Sequence, residues 1–122
     1  MGLLLVEDNT VNQMIAASLL EGDGYAVTIA GDGLEALDMA ARDRFDAILM
    51  DIQLPHLDGV EATRRLRTGD GPNRETPIIA LTANARADDR ARYLAAGMND
   101  CLPKPFDLDV VRLVMARWIG AP

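Results

Sequence analysis

The segment AILMDIQLPHLDG, residues 47–59, decides the fold of this chain. It joins a continuous apolar run to Asp51 and then to a turn-rich loop that contains Pro55 and ends at Gly59. An apolar run without polar alternation indicates a strand that is covered on both faces, as in the centre of a parallel sheet. A carboxylate at the end of such a strand is costly to bury without a partner. The segment therefore predicts a central parallel strand with a polar site at its carboxyl end.

Short apolar runs and longer helical patterns alternate on both sides of this segment, which is typical of a doubly wound α/β domain. The central strand is predicted at residues 46–51, and the longest loop, which is rich in turn formers, at residues 68–76. The other predicted strands cover residues 3–6, 26–30, 77–81 and 100–102. The predicted helices cover residues 10–21, 34–42, 59–67 and 85–96. A last helix is predicted to be capped by Asp107 and to end near residue 119.

Composition limits the possible functions. With 122 residues, of which 49% are hydrophobic, the chain is predicted to form one globular domain. Its net charge of −7 argues against direct nucleic-acid binding, which needs a basic face. No apolar run approaches the ~20 residues of a membrane span, so no membrane contact is expected.

The single cysteine, Cys101, excludes an internal disulfide and favours a reducing, cytoplasmic location. Because the first strand starts almost at Met1, we expect residues 1–122 to be a domain cut from a longer chain, such as the cytoplasmic part of a membrane-anchored sensor kinase.

Polar side chains follow four of the predicted strands. Glu7 and Asp8 come after the first strand, Asp51 ends the third, Thr82 follows the fourth, and Lys104 lies shortly after the fifth. The carboxyl ends of parallel strands meet at one edge of the sheet, so these groups are expected to converge. Mg²⁺ takes one or two carboxylates in proteins, keeps several waters and leaves room for phosphate oxygens. The sequence thus predicts a site for a divalent cation and a phosphoryl group.

The motifs that carry these residues resemble those of a response-regulator receiver domain, most of all the receivers fused to hybrid sensor histidine kinases. The resemblance covers roughly residues 3–119 and implies a flavodoxin-like sheet of order 2-1-3-4-5 with five helices. The motifs are VEDN at residues 6–9, MDIQLPHLDG at 50–59, ALTANA at 80–85, GMND at 97–100 and KPF at 104–106.

The resemblance assigns a role to each acidic residue. It implies that Asp51 is the phosphoacceptor. It further implies that Asp8 binds Mg²⁺ directly and Glu7 through water, and that the Gln53 backbone carbonyl is another ligand. Mn²⁺ is the alternative ion. The expected donor is a phosphohistidine of a histidine kinase or of a histidine phosphotransfer domain.

The remaining site residues are assigned in the same way. Thr82 is expected to bond the phosphoryl group and report its presence, and Lys104 to form an ion pair with it. The Lys104–Pro105 bond is expected to be cis. Gln53 and Asn84 are expected to tune the lifetime of the phosphoryl group. The domain is thus predicted to relay or signal a phosphoryl group, with slow self-dephosphorylation, and not to be an enzyme.

One position departs from the family pattern. Receivers usually place Tyr or Phe, as a rotamer switch coupled to the threonine, where this chain has Cys101. A cysteine is a small hydrophobe and cannot swing a ring between buried and exposed states. Our hypothesis is that the domain passes phosphate on, or signals through loop shifts near Thr82. His56, the only histidine, is predicted to be an exposed loop residue, so the phosphodonor must come from another domain or be a small phosphodonor molecule.

Two helices carry more apolar surface than one buried stripe needs. In the first helix, the predicted core face consists of Ile15, Ala16, Leu19 and Leu20. A second line at helical spacing consists of Val11, Met14 and Ser18. That second line is either part of a wide core stripe or a docking face for a partner helix. The last helix is predicted to bury its apolar residues, Val110, Val111, Leu113, Val114, Met115 and Trp118.

Three alternative functions compete with this prediction. An aspartate-nucleophile phosphatase of the haloacid dehalogenase type needs a second aspartate two residues after the first, where this chain has Gln53. A flavodoxin needs a Ser/Thr-rich phosphate loop after the first strand, where Glu7 and Asp8 would repel the phosphate. A receiver-like interaction module that is never phosphorylated stays open, although every key side chain is present.

Overall fold

The computed structural model describes residues 2–83 and 87–120, and over these residues the chain forms a five-stranded parallel sheet with five helices. The strands follow the order β2-β1-β3-β4-β5, as predicted. The strands are β1 (Gly2–Val6), β2 (Ala26–Ala30), β3 (Ala47–Asp51), β4 (Ile78–Thr82) and β5 (Asp100–Pro103).

Helices α1 (Thr10–Gly22), α2 (Gly33–Arg42), α3 (Gly59–Thr68), α4 (Ala87–Ala96) and α5 (Leu108–Ile119) alternate with the strands. Four of them begin after an Asn or Asp whose side chain accepts a hydrogen bond from a backbone N–H of the first turn. These capping residues satisfy donors that the helix itself leaves unpaired. They are Asn9, Asp32, Asp58 and Asp107. Residues 85 and 86, predicted to start α4, lie outside the described residues.

Side chains of the sheet alternate between two buried layers. One layer holds Leu4, Ile48 and Met50 against α2, α3 and α4, and the other holds Leu5 and Leu49 against α1 and α5. Every residue of β3 and β4 is buried, which confirms the central position predicted for β3. A rigid, doubly covered strand therefore carries Asp51 to the edge of the sheet.

Helices α1 and α5 bury fewer of their apolar side chains than the sequence predicted. Ile15 was predicted to be in the core and is 47% exposed, because α1 contacts the sheet through the small side chains of Ala16 and Ala17 together with Leu20. Small residues bring the helix close to the sheet and narrow its buried stripe. On α5, the prediction was wrong for Leu113, which is 61% exposed.

A half-buried polar network holds the amino-terminal edge of the sheet, at the opposite end from Asp51. The Arg67 guanidinium donates hydrogen bonds to the carbonyls of Gly97, Arg74 and Thr76 and to Asn99 Oδ1, at 2.8–2.9 Å. These hydrogen bonds tie the long loop before β4 to the turn before β5. Burial of the guanidinium lowers the pKa of Arg67.

Helix α3 begins in close contact with the strand that carries Asp51. A Cβ added at Gly59 would collide with the Asp51 backbone carbonyl. We therefore expect Gly59→Ala to lower the free energy of unfolding by about 2 kcal/mol, since overpacking outweighs the gain in helix propensity. Urea denaturation followed by circular dichroism would measure it. Gly71→Ala is the matched control, because nothing lies within 4 Å of its added Cβ; equal losses in both variants would contradict the steric explanation.

Candidate functional site

The predicted polar residues converge in a cleft at the carboxyl edge of the sheet. The carboxyl ends of β1, β3, β4 and β5, with the residues that directly follow them, each contribute one part of it, so neighbouring parallel strands bring together groups that are far apart in sequence. The cleft has a volume of about 430 Å³. The predicted residues that line it are Glu7, Asp8, Asp51, Gln53, Thr82 and Lys104.

Lys104 forms ion pairs with two buried carboxylates at the base of the cleft. Its Nζ lies 2.8 Å from Glu7 Oε2 and 2.6 Å from Asp51 Oδ2. Glu7 is only 1% exposed and Asp51 5%, so neither charge is well solvated. Burial alone would lower the pKa of Lys104, but the Asp51 and Glu7 carboxylates outweigh it and raise the pKa. The ammonium is therefore held in its charged form between the two acids.

Negative charge still exceeds positive charge in this cleft. Burial raises the pKa of Glu7, and so does the nearby Asp51 carboxylate, while Lys104 and the Asn9 N–H oppose the rise. The Glu7 backbone carbonyl also accepts a 2.6 Å hydrogen bond from Gln13 Nε2, which holds the turn after β1 in place. A raised carboxylate pKa indicates that further positive charge would stabilise the ionised site.

Three of the acids are arranged as a cation site. Glu7, Asp8 and Asp51 each offer an oxygen, and these oxygens lie within 4.8 Å of one another. Asp8 is exposed to solvent, while the other two are buried, so a bound ion would face both protein and water. An all-oxygen donor set with one open side fits Mg²⁺, which retains part of its hydration shell.

The loop after β3 holds one oxygen of the Asp51 carboxylate in place. The Gln53 backbone N–H donates a 3.0 Å hydrogen bond to Asp51 Oδ1. Asp51 thus has one oxygen held by the loop and the other by Lys104. The ligand role of the Gln53 carbonyl stays a prediction. Asn84, the other predicted tuning residue, lies outside the described residues.

Helix α4 forms a wall of the cleft that the sequence analysis missed. Asp89, Arg92 and Tyr93 line it, and the Tyr93 hydroxyl lies 3.3 Å from Thr82 Oγ1. The Arg92 guanidinium lies 5.3 Å from the centroid of the Tyr93 ring, a cation–π distance. Spacing of three and four residues places such side chains on one helix face. The spacing of Asp89, Arg92 and Tyr93 could have indicated that they share a helix face. It does not show whether that face meets the cleft.

Other sequence predictions are settled by the structure. The Lys104–Pro105 bond is cis, as expected. His56 is exposed, which confirms that prediction, and its Nδ1 lies 3.0 Å from Asp32 Oδ2. Cys101 is buried in the same core cluster as Tyr93, and burial raises the pKa of its thiol. Position 101 therefore holds a neutral small side chain.

A family model described as the response regulator receiver domain matches residues 3–116 of the chain. The chain belongs to this family. The chain is 41% identical over 117 residues to transcription factor SKN7 of Saccharomyces cerevisiae. The aligned region covers 96% of this chain but only 18% of SKN7. The chain is 44% identical over 110 residues to response regulator MprA of Mycobacterium leprae, and the aligned region covers 89% of this chain and 46% of MprA. The receiver domain thus spans less than half the length of these relatives.

Solved structures of receiver domains match over almost the whole chain. The receiver domain of sensor histidine kinase PA1611 from Pseudomonas aeruginosa, with a magnesium ion in its active-site cleft, is 51% identical, with a TM-score of 0.89 and 98% coverage of both chains. The receiver of Ssk1 from Saccharomyces cerevisiae, in complex with the histidine phosphotransfer protein Ypd1, is 31% identical, with a TM-score of 0.87 and coverages of 98% and 88%. The chain is thus a receiver homologous to those of two-component signalling proteins.

The described part of the receiver domain contains no helix with the length and apolar character needed to cross a membrane.

Proposed function

We propose that this receiver domain accepts a phosphoryl group from a phosphohistidine onto Asp51 and then relays or signals it. The observation that carries the proposal is the placement of the Asp51 carboxylate. It ends the buried strand β3, opens into the cleft and pairs with Lys104 at 2.6 Å. A buried carboxylate with a fixed cation beside it is suited to a reaction in which charge develops on a transferring phosphoryl group.

The proposed reaction is an in-line displacement at phosphorus. An Asp51 carboxylate oxygen forms the new P–O bond while the P–N bond of the phosphohistidine breaks, and the imidazole nitrogen keeps the electron pair. The Lys104 ammonium balances charge on the phosphoryl oxygens, and the Thr82 hydroxyl donates a hydrogen bond to one of them. Positioning and charge stabilisation supply most of the catalysis in such transfers. We propose that the domain turns over no substrate beyond its own phosphoryl group.

Glu7, Asp8 and Asp51, with the Gln53 backbone carbonyl, would hold the Mg²⁺ required for this transfer, and Mn²⁺ fits the same oxygen ligands. A bound divalent cation supplies positive charge that offsets the repulsion between the acids and the incoming phosphoryl group. The converging oxygens of the three acids support the assignment, as does the magnesium ion in the related PA1611 receiver. Gln53 and Asn84 remain the proposed tuning residues.

The proposed partner is a histidine phosphotransfer domain or a histidine kinase that docks on α1. Val11 is 62% exposed and Met14 67% exposed, and Ser18 is exposed beside them, so these three residues do not belong to the core. Val11 and Met14 form an apolar patch, with Ser18 beside it, on the helix that follows the Glu7–Asp8 turn. The complex of Ypd1 with the related Ssk1 receiver supports a partner of this kind. With a net charge of −7, no direct nucleic-acid partner is proposed.

Removing the apolar patch is expected to slow phosphotransfer from a protein donor and not from a small one. We expect Val11→Ser with Met14→Ser to reduce the rate of transfer from phosphorylated Ypd1 about ten-fold, since central apolar contacts dominate such interfaces. The rate with phosphoramidate should stay unchanged. Leu34→Ser, which removes a 51% exposed side chain from α2, is the control. An equal loss with both phosphodonors would contradict docking at α1.

We also propose that residues 1–122 are one cytoplasmic domain of a longer chain. The domain covers 98% of the isolated PA1611 receiver but only 18% of SKN7, which supports its role as a module. The buried, free thiol of Cys101 is compatible with a reducing compartment.

The function is tested by incubating the purified domain with phosphoramidate and Mg²⁺ and recording its intact mass. We expect the mass of one phosphoryl group to be added, and the addition to disappear when EDTA removes the metal. If no adduct forms, beryllofluoride separates the remaining explanations. Binding of beryllofluoride would indicate rapid self-hydrolysis, whereas no binding would favour the interaction module that is never phosphorylated.

A further inference from the structure

We propose that Tyr93 is a positioning residue, whose hydroxyl orients Thr82 toward the phosphoryl group and so couples α4 to the state of Asp51. The inference rests on the proposed function, because it takes Asp51 as the phosphoacceptor.

The two hydroxyl groups are buried together at the wall of the cleft. Tyr93 is 2% exposed and Thr82 is 5% exposed, and their oxygens lie 3.3 Å apart. Both residues line the cleft that contains Asp51 and Lys104. The Tyr93 ring lies in a buried core cluster, and the Arg92 guanidinium lies 5.3 Å from its centroid. The phenol is therefore held where a change at Thr82 reaches it directly.

The chemistry of the pair gives the hydrogen bond a direction. A hydroxyl has one proton to donate and two lone pairs that accept. Without a phosphoryl group, either oxygen of the pair can be the donor. Once the Thr82 hydroxyl donates its hydrogen bond to a phosphoryl oxygen, it can only accept a hydrogen bond from the Tyr93 hydroxyl. Tyr93 then has to be the donor. Phosphorylation thus fixes Tyr93 as the donor of this hydrogen bond, and the Tyr93 donor holds Thr82 in the orientation that contacts the phosphoryl group.

Tyr93 also connects this pair to the end of α4. Its backbone carbonyl accepts a 3.0 Å hydrogen bond from the Met98 N–H, in the turn that leads to β5. Tyr93, Met98 and Cys101 belong to one buried cluster. Cys101 has no ring and no hydroxyl, so in this chain the aromatic hydroxyl beside Thr82 comes from α4. A rearrangement at the Tyr93 hydroxyl is therefore transmitted to α4 and to the turn that follows it.

The chain supplies a matched control, because it contains two tyrosines and both are buried. Tyr25 lies in the core layer on the other face of the sheet, and its hydroxyl donates to the Gly120 carbonyl at 3.4 Å. Tyr93→Phe is expected to slow phosphorylation by phosphoramidate roughly five-fold, the effect typical of one net hydrogen bond. Tyr25→Phe should leave the rate within two-fold of the wild-type rate, and each variant is compared at equal folded fraction by circular dichroism.

A spectroscopic readout separates positioning from a purely structural role. The protein is labelled with 3-fluorotyrosine, and Tyr25→Phe identifies the resonance of Tyr93. Adding Mg²⁺ and beryllofluoride should shift the Tyr93 resonance by more than its linewidth and leave that of Tyr25 in place. Thr82→Val should remove most of the Tyr93 shift at saturating beryllofluoride.

The same spectra distinguish the failure of this inference from the failure of the proposed function. Bound beryllofluoride has its own fluorine resonances, which report whether the site is occupied. An occupied site with an unmoved Tyr93 resonance would overturn the positioning role, as would a shift that persists in Thr82→Val. Absence of bound beryllofluoride in the wild-type protein would overturn the proposed function and the inference with it.

Discussion

Asp51→Asn is expected to abolish phosphorylation, so that no phosphoryl mass appears after incubation with phosphoramidate and Mg²⁺. The substitution keeps the shape of the side chain and replaces a carboxylate nucleophile by a neutral amide. It also removes one of the two carboxylates that contact Lys104. The remaining acids cannot substitute for it, because the strand end at Asp51 is where Lys104, the Gln53 N–H and the open cleft meet. Intact mass measured over a time course would test the prediction.

Asp58→Asn is the control for this experiment. Asp58 is an exposed residue that follows the same loop and caps α3 by accepting a hydrogen bond from the Glu61 N–H. Asparagine caps helices as well as aspartate does, so fold and phosphorylation should both be retained. A phosphoryl adduct that persists in Asp51→Asn would contradict the assignment of the acceptor, and fragmentation of the adduct would then locate the modified residue.

Asn73→Ala is expected to cost about 3 kcal/mol of unfolding free energy, a large fraction of the stability of a small domain. Asn73 is fully buried. Its Nδ2 donates to the carbonyls of Ala40 and Asp43 at 2.7 and 2.6 Å, and its Oδ1 accepts from the Phe45 N–H at 2.8 Å. Truncation leaves these backbone groups buried without that partner, and each such group costs roughly 1–3 kcal/mol. Urea denaturation at constant pH would measure the change.

Two companion variants give this prediction its contrast. Asn73→Asp keeps the shape but points a carboxylate at two carbonyl oxygens, so it should destabilise at least as much as Asn73→Ala. Arg74→Ala, an exposed side chain in the same loop, should change stability by less than about 0.5 kcal/mol. Similar midpoints for Asn73→Ala and Arg74→Ala would show that the buried hydrogen bonds contribute little.

The strand and helix pattern made the fold predictable to within a few residues at most boundaries. β3 was expected at residues 46–51 and is observed at Ala47–Asp51. The polar residues of the cleft were also predictable, because parallel strands bring their carboxyl ends to one edge. Periodicity does not measure how close a helix comes to the sheet. For that reason Ile15 was wrongly placed in the core, whereas the small residues Ala16 and Ala17 make the contact.

Two further residues were beyond the reach of sequence patterns. Tyr93 was seen only as part of a helix, and Asn73 only as a turn former in a long loop. Both are now found buried with polar partners, Tyr93 beside Thr82 and Asn73 between α2 and β3. A tyrosine or an asparagine has the same local preferences whether its polar group meets water or a distant backbone group.

The resemblance to receiver domains implied the strand order, whereas the sequence alone determined the alternation of strands and helices, the convergence of Glu7, Asp51, Thr82 and Lys104, and the chemistry that these groups favour. These features follow from short-range patterns and from the rule that parallel strands share one carboxyl edge. Only the tertiary structure decided that Lys104 bridges Glu7 and Asp51, that α4 brings Tyr93 to Thr82, and that Asn73 joins three segments. Such contacts depend on the packing distance between whole elements, and that distance is set by all of the side chains in the layer together.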